Sequence, residues 1–189
     1  PLLFGPIHIA LLEMVIDPVC ALVFEAERDE AQIMRRPPRD PAEPLFSFGM
    51  VAWSVFRGVV GFGMLATVYF IGAGSGMPEA ELRALMFFAL IAEILALILV
   101  NRSFSASLGD ALVRHNGALR YVIFGVLAAA GAILFWPGAQ SLLKFGSIAW
   151  TDMMLAAGLG ILLLFLLEGC KPIMNHVLST GALAPASRA

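Results

Sequence analysis

Long apolar runs alternate with short charged ones along this chain. Five of the runs, Pro6–Phe24, Phe48–Ile71, Leu82–Val100, Leu119–Phe135 and Thr151–Leu167, carry few charges or none. Each is roughly 17–25 residues long, the span an α-helix needs to cross the hydrocarbon of a bilayer. The pattern predicts an all-α integral membrane protein with five transmembrane helices. Residues 1–24 form the first helix, 25–47 a loop, 48–168 four further helices and 169–189 a tail. An odd number of crossings puts the two ends of this stretch on opposite sides.

Composition supports the class. Of the 189 residues, 60% are hydrophobic and only 14% charged, against about a quarter charged in ordinary soluble domains. A soluble helical domain is therefore a remote alternative. The net charge of −2 suggests no nucleic-acid partner. Cys20 and Cys170 lack metal-type spacing and suggest no disulfide. The chain begins with Pro rather than Met and has no signal pattern, so it is expected to be a piece of a longer polypeptide.

Charge in the loops gives a direction. Arg28, Arg35, Arg36 and Arg39 lie in the first loop, Arg102, Arg114 and Arg120 follow the third helix, and Lys171 and Arg188 follow the fifth. The opposite loops hold only Arg83 and Lys144. The positive-inside rule then places the first end outside and the C-terminal end in the cytoplasm. A bacterial inner (plasma) membrane is the expected location.

Three acids fall in the interior of the apolar runs. Glu13 and Asp17 are four residues apart in the first, so on a helix they share a face, roughly 6 Å apart along the axis. Pro18 follows Asp17. It cannot donate a backbone hydrogen bond, so the helix is expected to loosen at Asp17 and free carbonyl oxygens beside the carboxylates. That is an oxygen-rich site for a hard cation. Glu93 stands alone among Leu, Ile and Ala in the third run, and a mid-membrane acid is a functional candidate by default. The bland reading of all three is a set of acids satisfied by neighbouring helices.

Other features read as structure. Gly58, Gly61 and Gly63 make a close-packing face on the second helix, and Arg57 is expected to snorkel to the interface or meet an acid. Gly72–Gly76 lacks the Lys-Ser/Thr of a phosphate loop and reads as a turn. Trp136 and Trp150 read as interface anchors, Glu168 beside Lys171 as a surface acid or salt bridge, and His8 as a packing or interfacial histidine rather than a ligand. Arg36-Pro37-Pro38-Arg39-Asp40-Pro41 is a stiff charged strap, suited to contact with another domain or simply a solvated loop. No phosphate-binding motif and no nucleophile with a neighbouring base is present. An energy source for the acids would have to lie elsewhere.

Two stretches resemble the C-terminal membrane part of cation-transporting P-type ATPases, the group of the calcium and sodium/potassium pumps. One is the first helix, Pro6-Ile7-His8-Ile9 through Val15-Ile16-Asp17. The other is the strap, Ile33-Met34-Arg35-Arg36-Pro37-Pro38-Arg39-Asp40-Pro41-Ala42-Glu43-Pro44-Leu45. It is similar to the family's Met-x-Arg-Pro-Pro-Arg-x-Pro-x-Glu-Pro-Leu signature and follows the acid at the family's spacing. The resemblance implies that the five helices correspond to the last five of ten. It implies that Asp17 is the near-central cation-binding aspartate and that Glu93 is the membrane acid of the eighth helix. Glu13 stands where calcium pumps carry Asn, and Ile16 where they carry Thr, which leaves the cation Ca²⁺-like or monovalent. Arg35, Arg36, Pro37, Pro38 and Arg39 would couple the helices to a phosphorylation domain. The implied partners are the remaining membrane helices and the cytoplasmic domains of the same chain, which would bind ATP and Mg²⁺, together with the lipid bilayer. This stretch alone should have no activity. The competing reading is a stand-alone five-helix channel or an assembly protein with structural acids. An upstream Asp-Lys-Thr-Gly segment in the full-length gene would decide between them.

Overall fold

The structure, a computed structural model, describes residues 3–26, 48–101, 117–147 and 149–179. Their helices are α1 (Pro6–Glu25), α2 (Phe48–Gly74), α3 (Glu79–Asn101), α4 (Gly117–Phe135), α5 (Pro137–Leu142) and α6 (Trp150–Ser179). All but α5 are long and apolar enough to span a membrane, so the five expected crossings are present and the protein is an all-α membrane protein. Large apolar side chains stay exposed on the bundle, among them Met14, Phe62, Phe124, Phe165 and Trp150. In water such a surface would be prohibitive; against lipid tails it is the natural exterior.

The bundle is built around α3. Ala84, Leu85, Phe87, Phe88, Ala89, Ile91 and Val100 are all buried, and α3 packs most extensively against α6. The reason is at Gly160. A Cβ there would stand 2.7 Å from the backbone oxygen of Ala92, so only glycine lets the two backbones approach this closely. Leu163 and Leu167 of α6 then close on Ala96 and Val100 of α3. Helix α2 joins this pair, and α1 lies on α4 with a smaller contact to α3.

Consecutive helices run antiparallel, so each end of the bundle gathers alternate termini. At one end the start of α3 meets the α5–α6 connector, with Gly146 N–H donating to the Ala80 carbonyl (2.9 Å) and Ser147 Oγ to Glu81 (2.7 Å). The α2–α3 turn lies at this end too. Helix α2 stops at Gly74, and Gly76 takes φ 78°, a left-handed conformation that glycine adopts without cost. The run Gly72–Gly76 is thus a helix terminus and turn, as its sequence suggests.

Three boundaries differ from the sequence expectation. Helix α1 does not loosen at Asp17 but continues through Pro18 to Glu25. Proline removes one intrahelical bond, leaving the Met14 carbonyl without its donor, yet buried Leu12 and Val23 hold the helix on both sides of the gap. Helix α6 runs past Leu167 to Ser179 with Pro172 inside it, because Leu163, Leu167 and Lys171, each four residues on, continue one buried face. The short α5 was not legible as a helix. Pro137 starts it at the N1 position, where a missing N–H costs nothing.

Candidate functional site

The first two acids lie on an open face. Along α1, His8 and Leu12 are buried, while Ala10, Glu13, Met14, Asp17 and Ala21 are exposed. That spacing of three and four residues is a single stripe, so both carboxylates project from the side of α1 away from the bundle. Next to the stripe, between α1 and α4, runs a groove of about 300 Å³ lined by Leu11, Met14, Val15, Val122, Gly125, Val126 and Ala129. It offers no side-chain oxygen and is no cation cavity in itself.

Glu93 lies elsewhere. It is 2% exposed and occupies the seam among α2, α3 and α6. A Cβ added at Gly61 of α2 would come within 3.1 Å of Glu93 Oε2 and 3.7 Å of a Leu163 methyl of α6. The absence of a side chain at Gly61 is therefore the space the carboxyl fills. Its other oxygen, Oε1, is buried with no hydrogen-bond partner among the described residues. The α1 side of α3 is marked by Phe87, whose ring lies 6.2 Å from that of His8. Glu93 follows Phe87 by six residues, about 120° around a helix, and so faces away from α1. Among the described residues no three His, Cys, Asp or Glu side chains gather as a metal-holding group.

A carboxylate taken out of water without a partner costs several kcal/mol. The Glu93 seam therefore favours whatever supplies positive charge to Oε1, a cation or a proton. The α1 acids can complete an oxygen cage only with groups brought against their open face. Both arrangements suit charge handling in a membrane; neither contains a nucleophile or a base paired for bond chemistry.

Toward the Asn101 end of the same seam lies a polar cluster that the sequence foreshadowed only in part. Arg57 is buried; its guanidinium donates to Asn101 Oδ1 and stacks over Trp53 at 4.5 Å, a cation–π contact. Its partners thus include an amide and an indole. Glu168 bridges to Lys171 at 2.7 Å, as expected, but Lys171 is buried within the bundle rather than on its surface. The four-residue step from Trp53 to Arg57 to Gly61 was the available signal that these positions share one inward face.

His8 is the packing residue it was expected to be. It is buried among the rings of Phe4, Phe87 and Phe145. The strap residues Arg35, Arg36, Pro37, Pro38 and Arg39 lie outside the described residues.

An apolar bundle with acids at mid-helix defines a polytopic membrane protein. Comparison with known proteins sharpens that class. The family model described as cation transporting ATPase, C-terminus, matches residues 1–173, and the chain belongs to this family. The resemblance read from the first helix and the strap is thereby borne out. A calcium-transporting ATPase of Listeria monocytogenes serovar 1/2a is 25% identical over 179 residues. The match covers 91% of this chain and 19% of that relative, so the chain spans only a minor part of the relative's length.

Proposed function

We propose that this chain is the membrane-embedded C-terminal part of an ATP-driven cation pump, in which Glu13 and Asp17 contribute carboxylates to a mid-membrane cation site with alternating access. The observation that carries this reading is the pair of acids exposed on one stripe of α1. In a bilayer that face cannot be left to lipid, since each charge at the midplane costs about 2.5–3.5 kcal/mol or more. It needs a polar partner, and further helices of the same full-length chain would supply the remaining oxygens. Ca²⁺ takes six to eight oxygen ligands, more than α1 alone offers. Calcium is a candidate cation because the Listeria relative is named for calcium transport; a monovalent ion is the alternative. Glu93 would be a third carboxylate of the transport path, acting from the adjoining seam. ATP and Mg²⁺ would act in cytoplasmic domains outside this stretch, and Arg35–Arg39 with Pro37 and Pro38 would relay their state to the helices.

The test uses the full-length protein. ATPase activity is measured across Ca²⁺, Na⁺, K⁺, Mg²⁺ and Mn²⁺, with Asp17→Asn as the comparison. One cation should stimulate wild-type turnover, and the Asn variant should lose that stimulation. Unchanged cation dependence in the variant removes Asp17 from the site.

A further inference from the structure

Helix α1 packs along one side through Leu12 and Val23 and is tied at its first turn by hydrogen bonds, while its opposite stripe is open. Gly5 caps it, and the Gly5 N–H donates to His8 Nδ1 at 3.0 Å. That nitrogen is thus an acceptor, and the ring proton sits on Nε2. Nε2–H then donates to the Leu143 carbonyl at 2.7 Å, a buried bond spanning 135 residues of sequence. The acceptor belongs to an unusual turn. Lys144 takes φ 51°, a left-handed conformation that is strained for a non-glycine residue. In that conformation the next carbonyl is captured as well: Arg83 of α3 donates to the Lys144 oxygen at 2.9 Å and to the Leu3 oxygen at 2.7 Å. The start of α1, the start of α3 and the α5–α6 connector are therefore locked together through a strained turn. Beyond it, the stripe with Glu13 and Asp17 has no packing on the bundle.

We propose that His8 is a positioning residue for the α1 carboxylates, and that its bond from Nε2 to the Leu143 carbonyl sets the rotation of α1 and hence where Glu13 and Asp17 stand. The proposal rests on the cation-site reading of those two acids. The lever arm is short: Glu13 and Asp17 are about 7 and 14 Å along the helix axis from His8. A carboxyl stands about 6 Å off that axis, so a rotation of about 20° moves it about 2 Å. A metal ligand tolerates displacements of about 0.2 Å. Apolar packing at Leu12 and Val23 is less directional than a hydrogen bond, so loss of this polar anchor is enough to displace the carboxylates while the helix remains folded.

Two substitutions separate this role from simple capping. Asn at position 8 can still accept from Gly5 N–H but is too short to reach Leu143. Gln places its amide nitrogen near the position of Nε2 and can reach the Leu143 carbonyl, though it caps less well. In the full-length protein, His8→Asn should raise the Ca²⁺ concentration for half-maximal ATPase stimulation about five- to tenfold, the scale of one lost buried hydrogen bond. His8→Gln should stay within about twofold of wild type. Wild-type behaviour of the Asn variant, or equal impairment of both, overturns the proposal. Hydrogen–deuterium exchange of the same proteins gives a readout that needs no turnover. The Asn variant should exchange faster than the Gln variant from Pro6 through Asp17; a change confined to Gly5–Ile9, or none, overturns the proposal. Absence of Ca²⁺ stimulation in wild type would instead count against calcium as the cargo, and exchange would still decide the role of His8.

Discussion

At the scale of single residues, side-chain direction matters as much as side-chain identity. Glu13, Asp17 and Glu93 are alike as intramembrane acids, yet two stand on an open stripe and one fills the slot opposite Gly61. Because Glu93 is turned about 120° from the α1-facing side, its replacement should matter less than that of Asp17. Glu93→Gln keeps the shape and removes the charge. It is expected to weaken cation-dependent phosphorylation of the full-length protein less than Asp17→Asn does, and an equal or larger loss would reverse the ranking. The acids were legible because charge in an apolar run is conspicuous. The seam that holds Glu93 was not, because a 3.6-residue period tells which residues share a face but not what the face meets. His8 was legible as a packing residue; its acceptor at Leu143 was not, since no local rule links positions 135 residues apart.

Helices meet in this bundle where side chains are missing. Gly160 and Gly158 lie two residues apart on α6, yet a Cβ at the first would strike the Ala92 backbone at 2.7 Å while one at the second would meet nothing within 4 Å. Backbone cannot yield as a flexible side chain can. Gly160→Ala is expected to destabilise the protein by about 1–3 kcal/mol, as overpacking does, seen as a lower unfolding temperature in detergent. Gly158→Ala should leave that temperature unchanged or slightly raised, since alanine favours helix over glycine. Equal effects would mean that the α3–α6 approach is not limiting. Helix existence was plain from apolar length, but ends were less so. The fifth apolar run ends at Leu167, whereas the buried face through Leu163, Leu167 and Lys171 carries the helix on.

For the whole molecule, the pump reading would place the partners of the open α1 stripe in other helices of the full-length protein. Within the pump reading, Arg36→Ala with Arg39→Ala should separate ATP hydrolysis from transport. Turnover should persist while cation uptake into vesicles falls, and cation binding should stay intact. Retained coupling would make the strap a plain linker. The charge bias of the loops also predicts orientation. In intact cells, a cysteine placed at Ser147 should react with an impermeant thiol reagent, and one at Ser47 should react only after the membrane is opened; the reverse pattern would invert the topology.

By itself the sequence determined the class of protein, the five crossings, the acids and the family signature. These follow from apolar length, from the cost of charge in hydrocarbon and from residues adjacent in the chain, all local quantities. Three-dimensional packing was needed to show that Glu93 faces Gly61 rather than α1, that Arg57 meets Asn101 and Trp53, and that a strained turn at Lys144 offers the Leu143 carbonyl to His8 and its own carbonyl to Arg83. The first two depend on the rotation of α2, α3 and α6 against one another, set by close packing at Gly61 and Gly160; the third joins positions far apart in sequence that no local rule connects.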